Sequence, residues 1–132
     1  MYLRPIVNMG GQSILIVDDE PLIALDVAQA FEDAGAIVTT TTTFREAMAL
    51  VEKIGLTAAI VDHELGEHDS NQLYARLKAR GIPFVTYSGH SRIDGACSDG
   101  VHVTKPVDPQ VLVNVVARLV AGTTQSALAS HI

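Results

Sequence analysis

Four short apolar runs punctuate the chain: ILIV at 14–17, AAIV at 58–61, FVTY at 84–87 and VHVT at 101–104. They are too short for helices and lack the polar alternation of a half-solvated strand, so they predict strands covered on both faces. A fifth run, IVTTT at 37–41, is more polar and suits a sheet edge. Longer segments with apolar residues at helical spacing lie between the runs. Leu22, Leu25, Ala28 and Phe31 share one such face, with Gly35 as a stop. Phe44, Ala47, Met48 and Val51 make a second that ends near Gly55. Leu73 and Leu77, between a Ser70 cap and Gly81, make a third. Asp108 and Pro109 read as a cap and first helical residue, with Val111, Leu112, Val115, Val116 and Leu119 packing inward.

Strand and helix thus alternate five times, which predicts parallel strands joined by right-handed crossovers: an α/β fold with a doubly wound five-stranded parallel sheet. One unit is abnormal. Only eleven residues separate Ser88 from Gly100, and two loops leave little for a helix of the usual 10 or more residues, so the fourth helix should be short or mobile. Residues 1–13 and 122–132 lack periodicity and are expected to be flexible ends of a domain spanning 14–121.

Composition narrows the function. At 132 residues and 48% hydrophobic, the chain has room for one domain with a sizeable core. Its formal charge of -6, with no basic run, argues against nucleic acid as a partner. The single Cys97 fits a reducing compartment. No apolar run is long enough to span a bilayer, and the first residues break at Arg4 and Pro5, too early for a signal peptide, so a cytoplasmic protein without membrane attachment is expected.

In an open parallel sheet, ligands sit beyond the carboxyl ends of the strands. The residues there are Asp18, Asp19 and Glu20 after the first strand, Asp62 after the third, Ser88 and Gly89 after the fourth, and Lys105 and Pro106 after the fifth. Converging carboxylates repel, two charges about 4 Å apart costing about 4 kcal/mol at an effective dielectric near 20. A hard divalent cation with oxygen ligands relieves that repulsion, and Mg²⁺ suits one or two carboxylates, several waters and a phosphate. Lys105 supplies a compact positive charge.

The ordered motifs I-L-I-V-D-D-E-P, A-A-I-V-D-H-E-L, V-T-Y-S-G and V-T-K-P resemble the receiver domain of bacterial two-component response regulators, over about Ser13 to Ala121. The resemblance implies a flavodoxin-like (βα)5 fold and a stand-alone signalling module rather than an enzyme, with slow autophosphatase activity at most. It implies that Asp62 accepts a phosphoryl group from a sensor histidine kinase or phosphotransfer protein. It further implies that Asp19 binds Mg²⁺ directly, Asp18 mainly through water, Asp62 as acceptor and ligand, and Glu64 through its backbone carbonyl. Lys105 and Ser88 would act on the phosphoryl group, with Gly89 leaving room beside the hydroxyl. Phosphorylation would then change binding to an unnamed downstream protein through the stretch 88–100 and the last helix. A monomer or weak dimer is expected.

Three positions depart from the family pattern. His102 stands three residues before Lys105, where receivers carry the switch aromatic; Glu64 lies two beyond Asp62; Gly66 replaces a common Pro. Pro83, Phe84, Ser88 and Gly89 are similar to a subgroup with a Pro-Phe-x-Phe-Ala-Thr-Gly fourth strand.

Plainer readings stand beside these. Asp18 and Asp19 suit a helix N-terminus, and Ser88 suits a turn. His63 and His68 with nearby acids read as solvated loop residues rather than a transition-metal site. His102 and Tyr87 read as core, and Cys97 as inert. Two other functions remain in view: a receiver-like binding module that takes no phosphate, and a Mg²⁺-dependent aspartyl-phosphate phosphatase in which Glu64 serves as the acid. Neither G-x-G-x-x-G nor G-x-x-x-x-G-K-[ST] follows any strand, which argues against a nucleotide site.

Overall fold

The five apolar runs all become strands of one sheet, because aliphatic side chains covered on both faces leave the backbone to pair only with neighbouring strands. The computed structural model describes residues 8–53, 55–62, 64–65, 68–88 and 101–129. In chain order these form β1 (Ser13–Val17), α1 (Pro21–Asp33), β2 (Ile37–Thr41), α2 (Phe44–Lys53) and β3 (Ala58–Asp62). A two-residue antiparallel pair follows, β4 (Glu64–Leu65) and β5 (His68–Asp69). Then come α3 (Asn71–Ala79), β6 (Phe84–Ser88), β7 (Val101–Thr104) and α4 (Pro109–Ala129).

The main sheet runs β2-β1-β3-β6-β7, with every pairing parallel. From β1 the chain winds first to β2 on one side and then to β3 on the other, so the carboxyl ends of β1 and β3 border the point where strand order reverses. Such a point leaves a crevice for ligands.

Two cores sandwich the sheet. On one face α1 and α4 cover Ile14, Ile16, Ile60 and Val85, with Phe31, Leu112 and Val116 fully buried. On the other, α2 and α3 cover Leu15, Val17, Ala59 and Val61, and Tyr74 stacks on Phe84 with ring centroids 5.1 Å apart. Burying each such side chain stabilises the fold by about 1.5–3 kcal/mol, which is what holds the strand ends in register.

The helix faces correct the sequence pattern in detail. In α1 the inward stripe is Ala24, Val27, Ala28 and Phe31, while Leu22 and Leu25 are 80% and 63% exposed. The first half of this helix carries apolar residues beyond one stripe, so two helical stripes compete, and the one with small alanines lets the helix approach the sheet. In α4 the buried residues are Leu112, Val113 and Val116, and Val111 is exposed. β7, expected to be covered on both faces, is the second edge of the sheet and is partly open to solvent.

Differences also appear at the ends. Met9, in the segment expected to be loose, is buried, and its amide donates to the Ala34 carbonyl at 2.7 Å. Gly35 makes this approach feasible: its φ is +97°, and a Cβ there would sit 3.3 Å from the Gly10 nitrogen. α4 continues through Gly122 to Ala129 instead of ending at Ala121. Ser70 precedes α3 without capping it, its hydroxyl turning instead to the Asp62 carbonyl at 3.5 Å. Asp108 does cap, accepting from the Gln110 amide at 2.9 Å. The expected short fourth helix, with Gly89 and Cys97, lies outside the described residues, as do His63, Gly66 and Glu67. Among the described residues no helix is long and apolar enough to cross a membrane.

Candidate functional site

Each strand that meets the crevice ends in a polar residue. Asp62 is the last residue of β3 and Asp18 follows β1 directly; they are 4% and 3% exposed. Two carboxylates so enclosed need positive partners. Lys105, placed just beyond β7, supplies one. Its Nζ lies 3.3 Å from Asp62 Oδ2, 3.5 Å from Asp18 Oδ2 and 3.9 Å from Glu20 Oε1.

Backbone hydrogen bonds fix these positions. The Lys105 amide donates to the Ser88 carbonyl at 2.7 Å, tying the β7 exit to the end of β6. The Asp18 amide donates to the Thr41 carbonyl, and Asp18 Oδ1 accepts from the Glu20 amide at 2.9 Å. Burial alone would push the Lys105 ammonium down, but the charges of Asp62, Asp18 and Glu20 and the hydrogen bond to Asp62 outweigh it and hold its pKa above the ordinary lysine value. Lys105 is therefore a permanent cation at neutral pH.

Among the described residues, acids outnumber the one lysine they surround. Asp18, Asp19, Glu20 and Asp62 bring carboxylate oxygens within 4.8 Å of one another. Asp19 and Glu20 face solvent, whereas Asp18 and Asp62 form the floor. An all-oxygen donor set with this excess of negative charge fits a hard divalent cation. Glu20, expected at this edge of the sheet but not among the metal ligands, lies within reach of both Lys105 and the other acids. Glu64 lies in β4, one residue past the Asp62-His63 step, so its backbone runs beside the cluster in sequence.

The remaining predicted residues fall at one side. Ser88 is fully buried at the end of β6, in register with Thr104. His102 is half-buried on β7 opposite Thr86, its Nδ1 2.9 Å from Thr86 Oγ1 and its Nε2 3.4 Å from Thr104 Oγ1. His102 thus joins a ladder of hydroxyls across the sheet edge and is not a member of the carboxylate cluster. Tyr87 is buried, as the pattern suggests, but its ring also lies under Lys105 Nζ, 5.0 Å from the centroid.

Comparison with known proteins identifies the family and the fold. The sequence profile described as "Response regulator receiver domain" matches residues 14–117. An uncharacterized 14.6 kDa protein in the sodA1 3' region of Leptolyngbya boryana is 31% identical over 118 residues, 83% of this chain and 90% of that one. The crystal structure of a CheY-like receiver domain protein from Methanospirillum hungatei superposes with a TM-score of 0.79 at 24% identity, covering 87% of this chain and 98% of that one. A response regulator from Burkholderia pseudomallei, solved with a phosphorylated aspartic acid, a calcium ion and citrate, gives 0.73 at 20% identity over 92% and 75%.

Proposed function

This chain belongs to the response regulator receiver domain family, and from that footing we propose that it is a phosphoacceptor whose Asp62 takes a phosphoryl group from the phosphohistidine of a sensor kinase or phosphotransfer protein. The observation that carries the reading is the enclosed Asp62 carboxylate with the Lys105 ammonium 3.3 Å away, at the reversal point of the sheet.

The Asp62 carboxylate oxygen attacks phosphorus, the P–N bond breaks, and the imidazole leaves with its electron pair. What this chemistry asks of a protein is positioning and neutralisation of charge on the phosphoryl oxygens. Lys105 meets part of that need, since its ammonium already lies against Asp62. The Ser88 hydroxyl, on the neighbouring strand end, donates to a phosphoryl oxygen. Asp18, Asp19 and Asp62, with the Glu64 carbonyl, are the residues that would hold Mg²⁺; Glu20 lies close enough to join them. When bound, Mg²⁺ supplies further positive charge to the transferring group.

Phosphorylation is read out by exchange of a protein partner. The β6–β7 edge and α4 adjoin Ser88 and Lys105, and there His102 occupies the place of the family's switch aromatic. Held between Thr86 and Thr104, its ring passes changes in the Ser88 strand along a hydroxyl–imidazole ladder rather than by swinging freely. Slow hydrolysis of the acyl phosphate resets the module. Intact-mass measurement after incubation with phosphoramidate tests the reading: a Mg²⁺-dependent gain of one phosphoryl group that Asp62→Asn abolishes supports it, and no gain in wild type with either phosphoramidate or a kinase phosphodonor overturns it.

A further inference from the structure

Lys105 has three carboxylates within 3.9 Å; exposed Glu20 is the most weakly felt, while the enclosed Asp62 and Asp18 lie at 3.3 and 3.5 Å, so similar that Coulomb attraction hardly ranks these two. Its long, flexible stem offers no rigidity of its own. Something else must select where the ammonium sits. Tyr87 is the side chain in position to do so. Its residue is in register with Asp62 on β3 and with Val103 on β7, so it rises from the sheet between the acceptor strand and the strand that delivers Lys105. Tyr87 is 6% exposed and belongs to the α1–α4 core, which restrains its ring. Lys105 Nζ lies over that ring at 5.0 Å, inside the range of a cation–π attraction. The hydroxyl accepts from the Val107 amide at 3.5 Å and so holds the turn that leads from Lys105 into α4.

We propose that Tyr87 is the positioning residue for Lys105: its ring is a shelf that keeps the ammonium at the acceptor carboxylate, and its hydroxyl anchors the Lys105–Val107 turn. The ring's attraction does not depend on the ionic state of the acids. It therefore continues to hold Lys105 when a cation takes their charge, a condition in which ion pairing alone would release the side chain to solvent. The consequence for function rests on the phosphoacceptor reading above; the positioning itself does not.

The test uses the full chain. In metal-free wild type, the Lys105 ε-methylene proton resonances should lie upfield of those of Lys53 and Lys78, shifted by the ring current of Tyr87. Tyr87→Phe keeps the ring and should keep that shift and phosphorylation by phosphoramidate within about twofold, while Val107 amide exchange quickens. Tyr87→Leu removes the ring and should lose the shift and slow phosphorylation by about three- to tenfold. Lys105 resonances level with those of Lys53 and Lys78 in wild type overturn the proposal, and this holds even where Tyr87→Leu does not fold. A folded Tyr87→Leu that is phosphorylated at the wild-type rate overturns it as well. Failure of wild type to take any phosphoryl group would instead count against the phosphoacceptor reading, and the resonances would still decide the positioning.

Discussion

Two groups of ion pairs in this molecule look alike in chemistry and differ in every physical respect that matters. At the crevice, Lys105 sits among Asp62, Asp18 and Glu20, with both aspartates enclosed. On the surface between α2 and α3, Glu52 pairs with Arg76 and Arg80, all of them well exposed. In the surface group two cations stand against one acid, but each charge keeps its water. At the crevice, water is largely withdrawn and, among the described residues, acids outnumber the cation, so the excess charge is not screened and the arrangement is receptive to a new cation. An imbalance of charge marks a site where it is enclosed, and means little where water screens it.

Lys105→Ala should leave the fold intact but lower the rate of phosphorylation by phosphoramidate about 10- to 100-fold, the loss of one charge-assisted hydrogen bond to the reacting group. The lysine's contribution to stability should also follow its raised pKa. It is fully present below the ordinary value of 10.5 and is lost as pH rises through the higher folded value, so the gap in denaturant midpoint between wild type and Lys105→Ala should stay flat near neutrality and close only in strong alkali.

Glu20→Gln removes an exposed acid from the cluster and should weaken Mg²⁺ binding about ten- to thirtyfold in a titration followed by amide shifts, the scale of one carboxylate against a divalent charge near 4 Å in a watery dielectric. The smallest effect belongs to the surface group. Arg76, chiefly through its hydrogen bond, holds the Glu52 carboxyl below its ordinary value of 4.5, so the pairing's contribution is fully present above that value and is lost as pH falls through the lowered one. At neutral pH Glu52→Gln should shift Tm by no more than about 2 °C, with phosphorylation untouched. A larger shift for Glu52 than for Lys105 would erase the contrast.

The strands and their polar ends were legible because short β-branched runs have one economical fate and each run stops at a charged or hydroxyl residue. That much located Asp18, Asp62, Ser88 and Lys105. Helix faces were less legible: where Leu22 through Ala28 is interrupted only by Asp26, packing against the sheet decides which stripe turns inward. The cover of the last strand was also hidden, so VHVT read as buried on both faces although β7 is an edge partly open to solvent. Tyr87 was hidden for a different reason. A buried tyrosine looks like core in any pattern, and its second role depends on a lysine eighteen residues away arriving over its ring.

The account turns on Asp62 as the atom-level acceptor, and reductive trapping tests this most directly. Phosphorylated protein is treated with borohydride, which converts an aspartyl phosphate to homoserine, then digested and sequenced by mass spectrometry. The account predicts homoserine at position 62 and at no other aspartate. Conversion at Asp18 or Asp19, or a phosphoryl group retained on a histidine or serine, would contradict it.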